Sequence, residues 1–132
     1  MKIKNNSRSG MYLVECMIIV AILGFLAVIA IPNFVQARQH SQLNKIVCNL
    51  RIIEGAKDQW ALDHKMNHGR TPTPKDLAPY MKDKICPPET VVGETYNINA
   101  VYSAEATAKL PENVKLGKYP RGGTVVILSS SK

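Results

Sequence analysis

Aromatic side chains are scarce, with one Trp, five Tyr and two Phe among 132 residues. That is too few for the stacking platform on which single-stranded nucleic acid is held. The three cysteines include no C-x-x-C pair, and His40, His64 and His68 are not spaced with them as zinc ligands. His64 and His68 lie four residues apart on one helical face, where they read as solvated surface histidines near a helix end. No G-x-S-x-G or S-x-x-K motif marks a nucleophile, and Ser129-Ser130-Ser131 reads as a tail. Gly122-Gly123 lacks the Lys-Ser/Thr and the following helix of a phosphate loop. The tail from Tyr119 contains no Asp or Glu, which disfavours an oxygen-rich calcium site there. These absences argue against an enzyme and against a resident cofactor or metal.

Acidic residues are missing from the first ten positions, where Lys2, Lys4 and Arg8 are found. They contribute to a net charge of +7, and the remaining 14 basic and 10 acidic residues leave +4. The later charges are interspersed (Lys57-Asp58, Lys75-Asp76, Lys82-Asp83-Lys84) and form no phosphate-binding stripe, so the basic balance argues against a nucleic-acid partner.

What the chain does have is one long apolar run. Met11 to Ile31 contains a single charged side chain, Glu15. As a helix rising ~1.5 Å per residue, this segment would be roughly 31 Å long, the hydrocarbon thickness of a bilayer. The basic residues on its N-terminal side place that end in the cytoplasm and everything after Pro32 on the far side. A cleaved secretory signal is a rival, since Val28-Ile29-Ala30 offers small residues. Its apolar core would be too long, however, and would enclose Glu15. A lipoprotein signal ending at Cys16 fails because Cys16 lies near the start of the run and follows Glu15. A retained single span is the favoured reading.

Glu15 then needs an explanation. A carboxylate in a span costs on the order of 2.5–3.5 kcal/mol, less near an interface. It either snorkels to the headgroups or meets a buried cation. No Lys, Arg or His lies between Glu15 and Arg38, so a cationic partner must come from another molecule or from a new amino terminus.

Ser9-Gly10 followed by Met11-Tyr12-Leu13-Val14-Glu15 resembles the type IV pilins and pseudopilins, in which a short basic leader ends in Gly and an apolar helix with an early Glu follows. The run from Met17 to Phe34, with Pro32, also resembles that family, and Cys48 to Ala61 is similar to short protein G-like pseudopilins of type II secretion. The resemblance implies a membrane aspartyl peptidase cutting between Gly10 and Met11, followed by N-methylation of the exposed amine. Gly10, lacking Cβ, suits the extended backbone that a peptidase cleft requires. In a packed filament the new amine would meet Glu15 of a neighbouring subunit and so set the register of assembly. Met11 stands where the family usually has Phe, and Tyr12 stands in place of a small residue.

These features divide the chain into a leader at 1–10, a transmembrane and assembly helix at 11–31, and a small head at 32–132. The expected fold is α+β: a long N-terminal helix, half transmembrane and half amphipathic, on a small antiparallel sheet. Pro32 should kink the helix without ending it. Leu43, Ile46, Val47, Leu50, Ile53, Ala56 and Trp60 form one apolar stripe that the head should cover, rather than a coiled-coil surface for a partner. Asn67-His68-Gly69 marks the expected stop. Thr73 caps a short helix running from Pro74 to about Met81. Tyr96, Ile98, Ala100 and Tyr102 alternate as one strand, Thr124–Leu128 forms a second, and Ser103–Tyr119 reads as loop. Cys16 should behave as a small apolar residue. Cys48 and Cys86 fall on the oxidising side, where a disulfide is preferred over two free thiols and would stabilise the head by roughly 3–4 kcal/mol.

The function expected is that of a non-catalytic subunit of a pseudopilus or pilus, an inner-membrane protein with a periplasmic head until it enters the filament. Its partners would be copies of itself, other pilins, the prepilin peptidase/methyltransferase, the assembly platform and the bilayer. A major or minor type IV pilin is the nearest alternative, and a membrane-tethered binding domain that never polymerises is the alternative of a different class.

Overall fold

A computed structural model of the chain describes residues 7–65 and 69–127. Its elements are one long helix, α1 (Ser7–Asp63), a short α2 (Pro74–Leu77) continued by a 3₁₀ turn at Ala78–Tyr80, and three strands. The strands are β1 (Thr95–Asn97), β2 (Thr107–Lys109) and β3 (Thr124–Val126), joined as an antiparallel sheet with β2 in the centre. This is the expected α+β, pilin-like arrangement. The chain divides into two units, Met1–Ala37 and Arg38–Lys132.

In the first unit α1 is already helical at Ser7 and continues through Pro32, although proline removes one backbone donor and crowds the turn before it. In the second unit α1 buries the stripe: Ile46, Leu50 and Ile53 are fully enclosed, and Ala56, Trp60 and Ala61 nearly so. Leu43 and Val47 pack against its margin. The opposing wall is a row across the sheet, in which Tyr96 faces Ala108 and Ala108 faces Val125. All three are buried while their strand neighbours point outward, the period-2 pattern of a sheet with one face on a core. Leu77, Met81, Val101, Ala106, Leu110 and Leu116 complete the core. Each large aliphatic enclosed there stabilises the fold by roughly 1.5–3 kcal/mol.

Several boundaries differ from the sequence reading. α1 stops at Asp63, ahead of the expected Asn67-His68-Gly69, whose first two residues lie outside the described residues. Lys65 adopts φ 48°, a left-handed conformation that cannot continue a helix, and its amide turns back onto the Leu62 carbonyl at 3.2 Å. Thr73 does cap α2 in a reciprocal box: its side chain accepts from the Asp76 amide, and the Asp76 carboxylate accepts from the Thr73 amide.

The strand expected at Tyr96–Tyr102 ends at Asn97. Beyond it Val101 exchanges backbone hydrogen bonds with Arg70 and Gly69 (2.9 and 3.2 Å), which diverts the chain from the sheet. Val101 is buried, whereas Tyr102, at φ 55°, is 54% exposed, so the expected inward face is reversed there. The central strand β2 lies inside Ser103–Tyr119, the stretch read as loop. Thr124–Leu128 is a strand over Thr124–Val126, and Leu128 lies outside the described residues. The turn before it requires glycine: a Cβ at Gly123 would lie 2.9 Å from the Pro120 carbonyl oxygen, and Gly122 has φ 69°.

Candidate functional site

From Met11 to Val35 no residue of α1 is buried, and its large apolar side chains are between 48% (Val35) and 75% (Phe25) exposed. The helix is long and apolar enough to cross a membrane. Apolar residues project on every side, leaving no polar face to turn to water. A surface of this kind persists only under lipid or protein.

Glu15 stands in this surface. It is exposed, one helical turn separates it from Met11, Tyr12, Ile18 and Ile19, and it has no ionic or hydrogen-bonded partner among the described residues. Met11 and Glu15, at i and i+4, share a face, and a helical side chain leans toward the N-terminus. Gly10 sits in regular helix, exposed, with open space where a Cβ would be. The structure thus gathers Gly10, Met11 and Glu15 at one end of α1 and leaves Pro32 further along the same helix.

The head carries polar networks that the sequence reading missed. Lys57, 1% exposed, donates to Glu54 Oε1 and to the Ala104 carbonyl, each at 3.0 Å. Glu54 Oε1 also accepts from the Ala106 amide, so one ion pair on α1, with Lys57 buried and Glu54 half-buried, holds the entry to β2. The signal was available: Lys57 falls on the apolar stripe, four residues after Ile53 and three before Trp60.

In a second network the buried Glu94 carboxylate accepts from the amides of Val91 and Val92 (2.8–3.1 Å) and from the Tyr96 hydroxyl at 2.5 Å. Burial pushes the Glu94 pKa up, but the bonds from Tyr96 and the two amides outweigh it and hold the pKa below the ordinary value. Burial, and next the bond to Glu94, push the Tyr96 hydroxyl up. Asn49 Nδ2 donates to Tyr96 Oη at 2.9 Å and to the Glu89 carbonyl at 3.3 Å, joining this network to α1.

Cys48 is exposed on α1 and Cys86 is half-buried in the 81–91 loop; both thiols are free, so the expected bridge is not formed in this structure. His64 Nδ1 lies 3.0 Å from the Trp60 carbonyl and its ring tilts on the Trp60 indole, while His68 lies outside the described residues. No cluster of three metal-ligating side chains occurs among the described residues.

Comparison with known proteins finds sequence relatives among type II secretion core proteins and type IV pilins. Over 55 residues the chain is 36% identical to the type II secretion system core protein G of Klebsiella pneumoniae, covering 42% of this chain and 39% of that one. Over 53 residues it is 42% identical to the type IV major pilin protein PilA of Myxococcus xanthus, covering 40% of this chain and 24% of that one. A longer match, 28% over 83 residues, links 63% of this chain to 55% of core protein G of Escherichia coli. The chain resembles pilins and pseudopilins over about half its length. It spans less than half of each of the first two relatives. No family model matches it, and no solved structure matches it significantly. Among the described residues one helix is long and apolar enough to serve as a single-pass membrane anchor.

Proposed function

We propose that the chain is a structural subunit of a pseudopilus, made as a prepilin, cut after Gly10, N-methylated on Met11 and assembled through its apolar helix. The observation that carries this reading is a wholly exposed apolar stretch of α1, from Met11 to Val35, interrupted by one carboxylate, Glu15, without a partner among the described residues. Residues 1–10 are then the leader and 11–31 the membrane and assembly helix, kinked at Pro32. Residues 32–132 are a periplasmic head. In the inner membrane the apolar face lies in lipid, and in the filament the same face lies against other copies and other pilins.

Cleavage supplies the cation that the span lacks. The new Met11 amine lies within reach of its own Glu15, four residues on, while the subunit waits in the membrane. In the filament the amine turns to the neighbour's Glu15. Neither charge is left alone in an apolar setting, where an unpaired one costs several kcal/mol. The peptidase/methyltransferase and an assembly platform are the partners this route needs. The longer similarity to core protein G supports service in type II secretion, and the likeness to PilA supports a pilus as the second reading.

The test is Glu15→Ala with Glu15→Gln beside it. Filament yield should fall at least tenfold in both, with the protein still inserted and the head still folded. Full assembly by either variant would overturn the reading. A tethered binder would show no assembly in the parent and unchanged ligand affinity in the variant. Mass spectrometry of the mature protein should find an N-methylated chain starting at Met11; a start at Met1 or at Ile31 would contradict the processing route.

A further inference from the structure

The charge of the head is unevenly placed. From Arg38 to Ala108 nine basic residues stand beside eight acidic ones, whereas Lys109 to Arg121 holds four basic residues and one acid, Glu112. Those four, Lys109, Lys115, Lys118 and Arg121, are spread along the sequence, and folding brings them onto one lobe, 110–123, and the strand end beside it. The Leu110 amide donates to the Gly123 carbonyl (2.9 Å) and the Gly122 amide to the Pro111 carbonyl (3.2 Å), which closes the lobe at its base. Leu110 and Leu116 pin it to the core. All four cations are exposed, and none has an ionic partner among the described residues.

Contacts along α1 fix where the lobe lies. Lys57 donates to the Ala104 carbonyl, Glu54 accepts from the Ala106 amide, and Asn49 donates to Tyr96, the partner of Ala108 across the sheet. The chain therefore runs along α1 from Lys57 toward Asn49. The lobe follows beyond the paired Lys109 and Thr124, at the end of the head where α1 enters it. Arg38, Lys45 and Arg51 belong to that part of α1, and no Asp or Glu occurs between Glu15 and Glu54. Asp83 and Glu89 lie elsewhere, with Lys45 and Lys82 around a groove of mixed charge between α1 and the 81–91 loop.

We propose that Lys109, Lys115, Lys118 and Arg121 dock the head on the phosphates of an anionic bilayer, the one that holds α1. The proposal rests on the reading of residues 11–31 as a membrane span and is independent of filament assembly. The only aromatic ring of the lobe, Tyr119, has the Lys118 ammonium 5.3 Å from its centre, so a nucleobase finds no free ring to stack on. Phosphate is what such a surface holds. A span keeps the head within tether reach of headgroups, so individually weak Lys and Arg contacts act at high effective concentration.

The test places the full chain, at low salt, in nanodiscs of phosphatidylcholine alone or with about one-third phosphatidylglycerol, and reads the acylation rate of each lysine by mass spectrometry. Lys109, Lys115 and Lys118 should react on the order of threefold more slowly in the anionic discs. Lys65, just past the C-terminal end of α1, and Lys75, on α2, should not change. High salt should erase the difference. Lys115→Gln combined with Arg121→Gln, both at exposed positions, should weaken the protection of Lys109 and Lys118 while the head stays folded. Equal rates in the two discs, with the chain inserted in both, would overturn the proposal and leave the span intact. A chain that enters neither disc would overturn the span reading and the proposal with it. Protection by a short DNA duplex added to neutral discs, with none from phosphatidylglycerol, would overturn it in favour of a soluble polyanion.

Discussion

Two stretches of α1 share one secondary structure and meet opposite surroundings. Between Met11 and Val35 apolar side chains project on all sides and none is buried. Between Ile46 and Ala61 all the large ones except the exposed Ile52 keep to one stripe, and that stripe is the floor of the head core. The polar groups follow the same division. Glu15 has no partner among the described residues, whereas Glu54 and Lys57 are paired and bonded to the backbone. Helical propensity does not separate the two stretches; the periodicity of hydrophobic residues does. A stripe lets a helix be covered by its own chain, while an unbroken apolar cylinder must be covered by something else.

The comparison can be broken most severely at the Glu54–Lys57 pair, whose ammonium is buried. Glu54→Ala leaves the Lys57 ammonium enclosed with a lone carbonyl for company, and should destabilise the head by about 3–5 kcal/mol. Urea denaturation of the full chain in detergent, followed by the fluorescence of Trp60, reads this directly. Leu50→Ala should cost about 2–5 kcal/mol by the same measurement, whereas Leu23→Ala, equally apolar but exposed, should move the transition by less than about 0.5 kcal/mol. Equal effects at Leu50 and Leu23 would erase the distinction.

Smaller effects test the second network. Hydrogen bonds hold Glu94 below its ordinary pKa of 4.5, so the fold takes up its proton less readily than the unfolded chain. Its contribution is complete above pH 4.5 and is lost as pH falls through the lowered value. Tyr96→Phe should remove about 1–3 kcal/mol near neutrality and flatten the acid limb of a stability–pH profile. Thr73→Ala should cost about 1 kcal/mol by deleting the cap of α2.

Much of this was legible in the residues. The apolar run, the stripe from Leu43 to Trp60, the Thr73 cap and the strand at Thr124 each carry a strong local signal. β2 was not read because Ala106, Ala108 and Lys109 are weak strand formers, although Ala106, Ala108 and Leu110 do alternate with Thr107 and Lys109. Tyr102 was placed inward because alternation was carried past Asn97, where long-range bonds from Val101 to Arg70 and Gly69 take the backbone elsewhere. The Lys65 stop had no glycine to announce it. Lys57 was read as one of the scattered charges because composition, unlike position on the stripe, says nothing of burial.

That α1 is already helical at Ser7 bears on what a cut after Gly10 would leave behind. The amides of Tyr12, Leu13 and Val14 point back to the carbonyls of Arg8, Ser9 and Gly10 in regular helical geometry. Excising the leader strips those acceptors away, so the shortened helix ends in orphaned donors crowned by an ammonium, all at the positive pole of its dipole. Such a tip in a greasy setting has strong appetite for an anion. A carboxylate arriving from an adjacent copy would satisfy hydrogen-bond hunger and charge at one stroke, so proteolysis here would manufacture the docking socket as well as free the subunit.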